Sequence, residues 1–129
     1  RRMVADLCFP VRIVGHPTQR ESDGLALSSR NQYLTAQERA VAPALYQALR
    51  AAADELVRVG CGEKSRHIVA IQQAAMDNLT REGFDPEYFE IRESGTLAPP
   101  GRDSCRLVIL AAATLGGARL IDNLSVALK

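Results

Sequence analysis

Leu27-Ser28-Ser29-Arg30-Asn31 sets two hydroxyls, a guanidinium and an amide side by side. Such a group suits an oxyanion, above all a phosphate. Serine hydroxyls and exposed loop amides donate to phosphate oxygens, and arginine offers a fixed fork that meets them two at a time. Each charge-assisted bond of this kind is worth about 1.5–3 kcal/mol. A helix start close behind adds positive potential. Upstream, Asp23-Gly24 is a flexible step that would let the segment swing, with Leu25 and Leu27 as its only apolar tethers. The same residue types also form turns and helix caps, so composition leaves a purely local capping role open.

The elements that position this group follow from periodicity. Thr35-Ala36-Gln37-Glu38 is a capping box, predicting a helix start at Thr35. Val41, Ala44, Leu45, Ala48, Ala52 and Leu56 then make an apolar stripe that ends at Gly60-Cys61-Gly62, with Pro43 expected to kink or restart the helix. A second helix is expected from about Lys64 to Glu82, stopped by Gly83. Residues 87–94, 105–114 and 118–124 read as strands, and Leu115-Gly116-Gly117 as the hairpin turn between the last two. Within the first of them Phe89 and Ile91 face opposite to Tyr88 and Glu90. Ahead of all this, residues 1–9 read as the end of a helix, 10–17 as a short strand between prolines, and 17–34 as a loop. The predicted class is α+β: a small, mainly antiparallel sheet of about three strands packed with two helices.

Composition narrows the partners. With a net charge of +1, fourteen arginines balanced by fifteen acids, and no aromatic cluster, neither nucleic acid nor a membrane surface is favoured. Cys8, Cys61 and Cys105 are odd in number and widely spaced, so reduced thiols in a cytoplasmic protein are expected rather than a disulfide framework or zinc site. The isolated His16 and His67 suggest structural rather than catalytic histidines.

A longer string carries more. Residues 11–39, "VRIVGHPTQRESDGLALSSRNQYLTAQER", closely resemble the segment that joins the two domains of the pantothenate synthetase (pantoate–β-alanine ligase) family. The match falls on Gly15, Pro17, Thr18, Arg20, Glu21, Asp23 to Asn31, Tyr33 and Leu34. "YFEIRE" and "LGGARLIDNL" resemble the family's C-terminal strands. The resemblance implies an ATP-dependent ligase that condenses pantoate with β-alanine through a pantoyl adenylate, releasing AMP and pyrophosphate. ATP would enter with Mg²⁺, and no prosthetic group is implied. Ser28, Ser29 and Arg30 would be catalytic, Arg30 leading at the pentacoordinate phosphorus. Leu27 with these three would contact the ATP phosphates, and Gln19 the adenine through its backbone. His16 and Gln19 stand where the family is commonly apolar, and Pro43 is unexpected in the following helix.

The family's other half, a Rossmann-like nucleotide-binding domain with an H-x-G-H motif, has no counterpart in these residues. The resemblance therefore implies that residues 1–16 continue that domain and 17–129 form the C-terminal lid domain of a two-domain enzyme of the nucleotidyltransferase superfamily. It implies, too, a homodimer formed through the other half, and no pantothenate synthesis by these 129 residues alone.

Overall fold

The computed structural model describes residues 1–129. Helix α1 (Arg2–Asp6) is followed by a long irregular stretch with a 3₁₀ turn at Ser29–Tyr33, then α2 (Ala36–Val41) and α3 (Ala44–Arg81). Strands β1 (Asp85–Glu93), β2 (Arg106–Leu115) and β3 (Ala118–Ala127) complete the chain. They form one antiparallel sheet in the order β1-β2-β3, the meander that short connections favour. One irregularity, between Pro86 and Tyr88, interrupts the β1–β2 register, while β2 and β3 pair without a break from Arg106↔Ala127 to Leu115↔Ala118.

The capping box forms as the sequence predicts. Thr35 Oγ1 accepts from the Glu38 amide at 3.2 Å, and the Glu38 carboxylate accepts from the Thr35 amide at 2.7 Å. Pro43 restarts the helix: it is the N-cap residue of α3, a position where its missing N–H deprives no helical bond. The two long helices expected from periodicity both form, and within the span of α3 they are separated at Gly60, whose φ of 78° breaks the helical path. The stop is a single residue, so the second helix starts just after it and a few residues before Lys64. Leu45, Leu49, Leu56, Ile71 and Leu79 from its two halves pack with Phe89, Ile91, Leu107, Ile109 and Leu120 of the sheet. Each fully buried side chain of this size contributes about 1.5–3 kcal/mol. Phe89 and Ile91 are buried and Tyr88 is exposed, the alternation expected of β1.

Three expectations are corrected. Residues 10–16 form no strand; their apolar side chains Val11, Ile13 and Val14 are exposed and have no neighbouring strand to pair with. Cys61 and Cys105 are joined in a disulfide, with Cα atoms 5.4 Å apart, whereas Cys8 is free and exposed. Their separation of 44 residues concealed the pairing, because the bend at Gly60 and the start of β2 meet only in three dimensions. The reduced-thiol argument for a cytoplasmic setting falls with it. Thirdly, Leu25 is buried but Leu27 is exposed, so only one of the two expected apolar tethers holds. No helix is long and apolar enough to cross a membrane.

Candidate functional site

The loop ahead of α2 has a rigid root and a bare tip. At the root, Arg20 and Ala26 form an antiparallel bridge, flanked by hydrogen bonds from the Leu27 amide to the Gln19 carbonyl (2.9 Å) and from the Glu21 amide to the Leu25 carbonyl (2.8 Å). Asp23 turns the chain by accepting from the Leu25 amide at 3.1 Å. Gly24 completes the turn at φ +96°, where a Cβ would meet the Tyr46 ring at 2.6 Å. Only glycine fits both the backbone and the contact. The flexible step inferred from sequence is thus a packed one.

Two of the three arginines near this loop are consumed in holding it. Arg20 forks onto Asp122 at 2.6 and 2.8 Å, also reaches the carbonyls of Gly24 and Asn123, and lies 3.8 Å above the Tyr46 ring. Its guanidinium is held charged even more firmly than usual, chiefly by the hydrogen bonds to Asp122. Arg39 of α2 bridges Glu21 and Asp23, each at 2.6 Å. Arg39 in turn holds the Asp23 carboxyl below the usual carboxylate range, helped by the Leu25 amide.

The third arginine is free. Arg30 is exposed, and its guanidinium makes no hydrogen bond or ion pair. It sits in the 3₁₀ turn, whose cap is Ser28: Ser28 Oγ accepts from the Arg30 amide at 3.2 Å. Asn31 closes the tip by donating from Nδ2 to the Ala26 carbonyl at 3.0 Å, while its buried Oδ1 has no partner. The amides of Ser28 and Ser29 donate to no protein group. The local capping role and the anion-gripping role therefore coexist. Ser28 caps the turn and still has its own hydroxyl hydrogen to give, and the cap orients two unpaired amides and one unpaired guanidinium toward solvent.

Leu27, Ser28, Arg30 and Asn31 border a cavity of about 370 Å³ closed on its other side by Tyr46, Arg119 and Asp122. Gln19 lies outside it. Its carbonyl accepts from the Leu27 amide and keeps one lone pair, its own amide N–H is unpaired, and the Leu27 amide is taken. Sequence reasoning located the tip and missed the root, although Arg20 and Asp122 both stand in the stretches that carry the family resemblance. No cluster of three or more histidine, cysteine or acidic side chains is placed to bind a metal.

Known proteins resemble this chain over nearly its whole length. The family model described as pantoate-beta-alanine ligase matches residues 1–125. The pantothenate synthetase of Nitrosococcus oceani is 50% identical over 129 residues, covering 100% of this chain and 43% of that protein. Among solved structures, the pantothenate synthetase from Thermus thermophilus superimposes with a TM-score of 0.78 at 40% identity, over 95% of this chain and 43% of that one. The Francisella tularensis ligase, solved with β,γ-ATP and β-alanine, gives a TM-score of 0.60 at 25% identity, over 95% of this chain and 36% of that one. The chain thus spans less than half the length of these relatives.

Proposed function

Because the chain belongs to the pantoate–beta-alanine ligase family, we propose that it is the ATP-gripping part of a ligase that joins pantoate to β-alanine with cleavage of ATP to AMP and pyrophosphate. The observation that carries this reading is the unpartnered Arg30, held at the tip of a loop whose other arginines are fully engaged. Ser28 and Ser29 supply hydroxyl and amide donors to the phosphate oxygens, and Arg30 supplies the charge that grows in importance as negative charge builds at the attacked phosphorus. Magnesium enters as part of the substrate Mg·ATP. That the Francisella relative was solved with a nucleotide and β-alanine supports both substrates.

In this reading the carboxylate of pantoate attacks the α-phosphorus, pyrophosphate leaves, and the amine of β-alanine displaces AMP from the adenylate. The protein's part in the first step is positioning and charge. Residues 17–129 form the lid domain. Residues 1–16 belong to the nucleotide-binding domain; they contribute no buried residue to the lid core, and Met3, Leu7, Phe9, Val11 and Val14 are exposed for packing elsewhere. Dimerisation through that other domain, and a cytoplasmic location, complete the proposal.

The test is exchange of labelled pyrophosphate into ATP, dependent on pantoate, in the full-length protein that carries this chain. Wild type should exchange, and Arg30→Ala should do so about 10²–10³-fold more slowly at comparable enzyme. The 129 residues alone should give no AMP from pantoate, β-alanine and Mg·ATP. Turnover by them at the rate of the full-length protein would refute the division of labour between two domains.

A further inference from the structure

Arg20 invites a simple assignment: an arginine ten residues from Arg30, near the cavity that the tip borders. The geometry gives it a different task. Its two terminal nitrogens are committed to four acceptors, the two carboxylate oxygens of Asp122 and the carbonyls of Gly24 and Asn123. One face of the guanidinium is covered by the Tyr46 ring. The Asp122 side chain is 3% exposed, and its Oδ1 accepts a further bond from the Asn123 amide at 2.7 Å. The four terminal N–H groups of Arg20 thus have partners already and only its Nε–H is unpaired, while Asp122, as a carboxylate, has no donor to offer a phosphate.

What the pair does is join two distant parts of the chain at the place where the grip begins. Asp122 alternates along β3 onto the same face as the buried Leu120 and Val126, so it is fixed by the sheet. Arg20 is one half of the bridge with Ala26, and the next rung, Gln19 to Leu27, ends one residue before Ser28. A forked ion pair fixes direction as well as distance. Its orientation is passed through two rungs of backbone to the Ser28 amide and Arg30.

We propose that Arg20 and Asp122 are positioning residues for phosphoryl chemistry: they set the orientation of the Ser28–Arg30 tip relative to the sheet, and so the rate of adenylate formation more than the affinity for ATP. This rests on the ligase reading above. Misplacing a reacting group by about 1 Å can lower a rate about 100-fold while ground-state binding survives.

Arg20→Ala is a poor test, because it strands a buried carboxylate and risks unfolding. Arg20→Lys keeps the charge beside Asp122 and above Tyr46 but loses the fork. In the full-length protein, Arg20→Lys is expected to lower kcat for pantoate-dependent pyrophosphate exchange by about 10- to 100-fold, with KM for ATP within about threefold and the thermal midpoint nearly kept; Asp122→Asn should show the same kcat-against-KM split with a lower thermal midpoint. The decisive measurement is the double variant Arg20→Lys/Arg30→Ala. If Arg20 acts through the tip, the lysine change adds little once Arg30 is gone. Full additivity, or a normal kcat in a stably folded Arg20→Lys protein, overturns the proposal. If Arg30→Ala alone leaves exchange intact, it is the ligase-grip reading that fails.

Discussion

Two irregular regions of this molecule solve the same problem in opposite ways. At the corner of α3, Gly60 breaks the helix, and the loop between β1 and β2 is drawn against it by the Cys61–Cys105 disulfide. Lys64, fully buried, seals the corner by donating to the carbonyls of Cys61 and Arg102, each at 2.6 Å. Its polar groups are turned inward. At the other end of α3, the loop from Thr18 to Leu34 is held by ion pairs at its root alone, and its tip is left with unpaired donors. Irregular backbone whose polar groups are all satisfied is scaffold. Irregular backbone that is anchored and then left unsatisfied has donors free to meet a ligand.

Arg30→Ala should produce the largest effect and the sharpest contrast. Loss of one preorganised charge at a developing phosphate anion should lower the adenylation rate by about 10²–10³. The thermal midpoint should stay within about 1 °C of wild type, since an exposed, unpartnered side chain contributes little to folding. Lysine should restore only part of the rate, lacking the fork. An Arg30→Ala protein that unfolds early yet turns over normally would erase the distinction between tip and scaffold.

The disulfide corner should respond in reverse. Closing a loop of 44 residues is worth about 4 kcal/mol in the chain-entropy treatment. Cys105→Ser, or reduction by a small dithiol, should therefore lower stability by about 2–4 kcal/mol in denaturant titration. It should leave KM for ATP unchanged. A kinetic defect without loss of stability would show the corner communicates with the site.

Much of this was legible in the chain, and the parts that were not share a cause. The capping box, the restart at Pro43 and the hairpin at Gly116-Gly117 depend on neighbours within a few residues, and the three strands carry a local pattern of apolar and β-forming residues, all of which sequence displays directly. The Ser-Ser-Arg-Asn tip was readable for the same reason. The disulfide and the Arg20–Asp122 pair were not: their partners lie 44 and 102 residues apart. Nothing in local pattern says that Arg20 faces a carboxylate and Arg30 faces water. Likewise residues 10–16 have the composition of a strand, but a strand needs a neighbour to bond with.

Thr35→Ala tests the boundary between loop and scaffold with a smaller effect. It removes the Thr35 half of the capping box, which should cost about 0.5–2 kcal/mol. A second consequence follows from packing, because Glu38 lies against the β2–β3 turn so closely that a Cβ at Gly116 would collide with its carboxylate. Loosening the box should therefore raise amide exchange at Gly116 and Gly117. Turnover should remain near normal. A large kinetic defect with intact stability would place Thr35 in the grip.

The smallest effect is expected from pH at the loop root. The root is bonded and the tip is not, so amide exchange should split the loop at residues 17–34. The amides of Leu25 and Leu27 should be protected by their bonds to Asp23 and Gln19, and those of Ser28 and Ser29 should exchange fast until ATP is bound. Asp23 makes the first group acid-sensitive. Arg39 holds its carboxyl below the ordinary value, so the folded state favours the ionised form. The resulting stabilisation is fully present above about pH 4 and is lost as pH falls through the lowered value. Protection at Leu25, corrected for intrinsic exchange, should accordingly fade on acidification below about pH 4, while that of β2 persists. Asp23→Asn, which keeps the acceptor but loses the charge facing Arg39, should show weaker protection with no such pH dependence. Equal protection of Leu25 and Ser29 in the nucleotide-free protein would mean that root and tip are one rigid unit, with the unpaired donors of the tip fixed in place before any phosphate arrives.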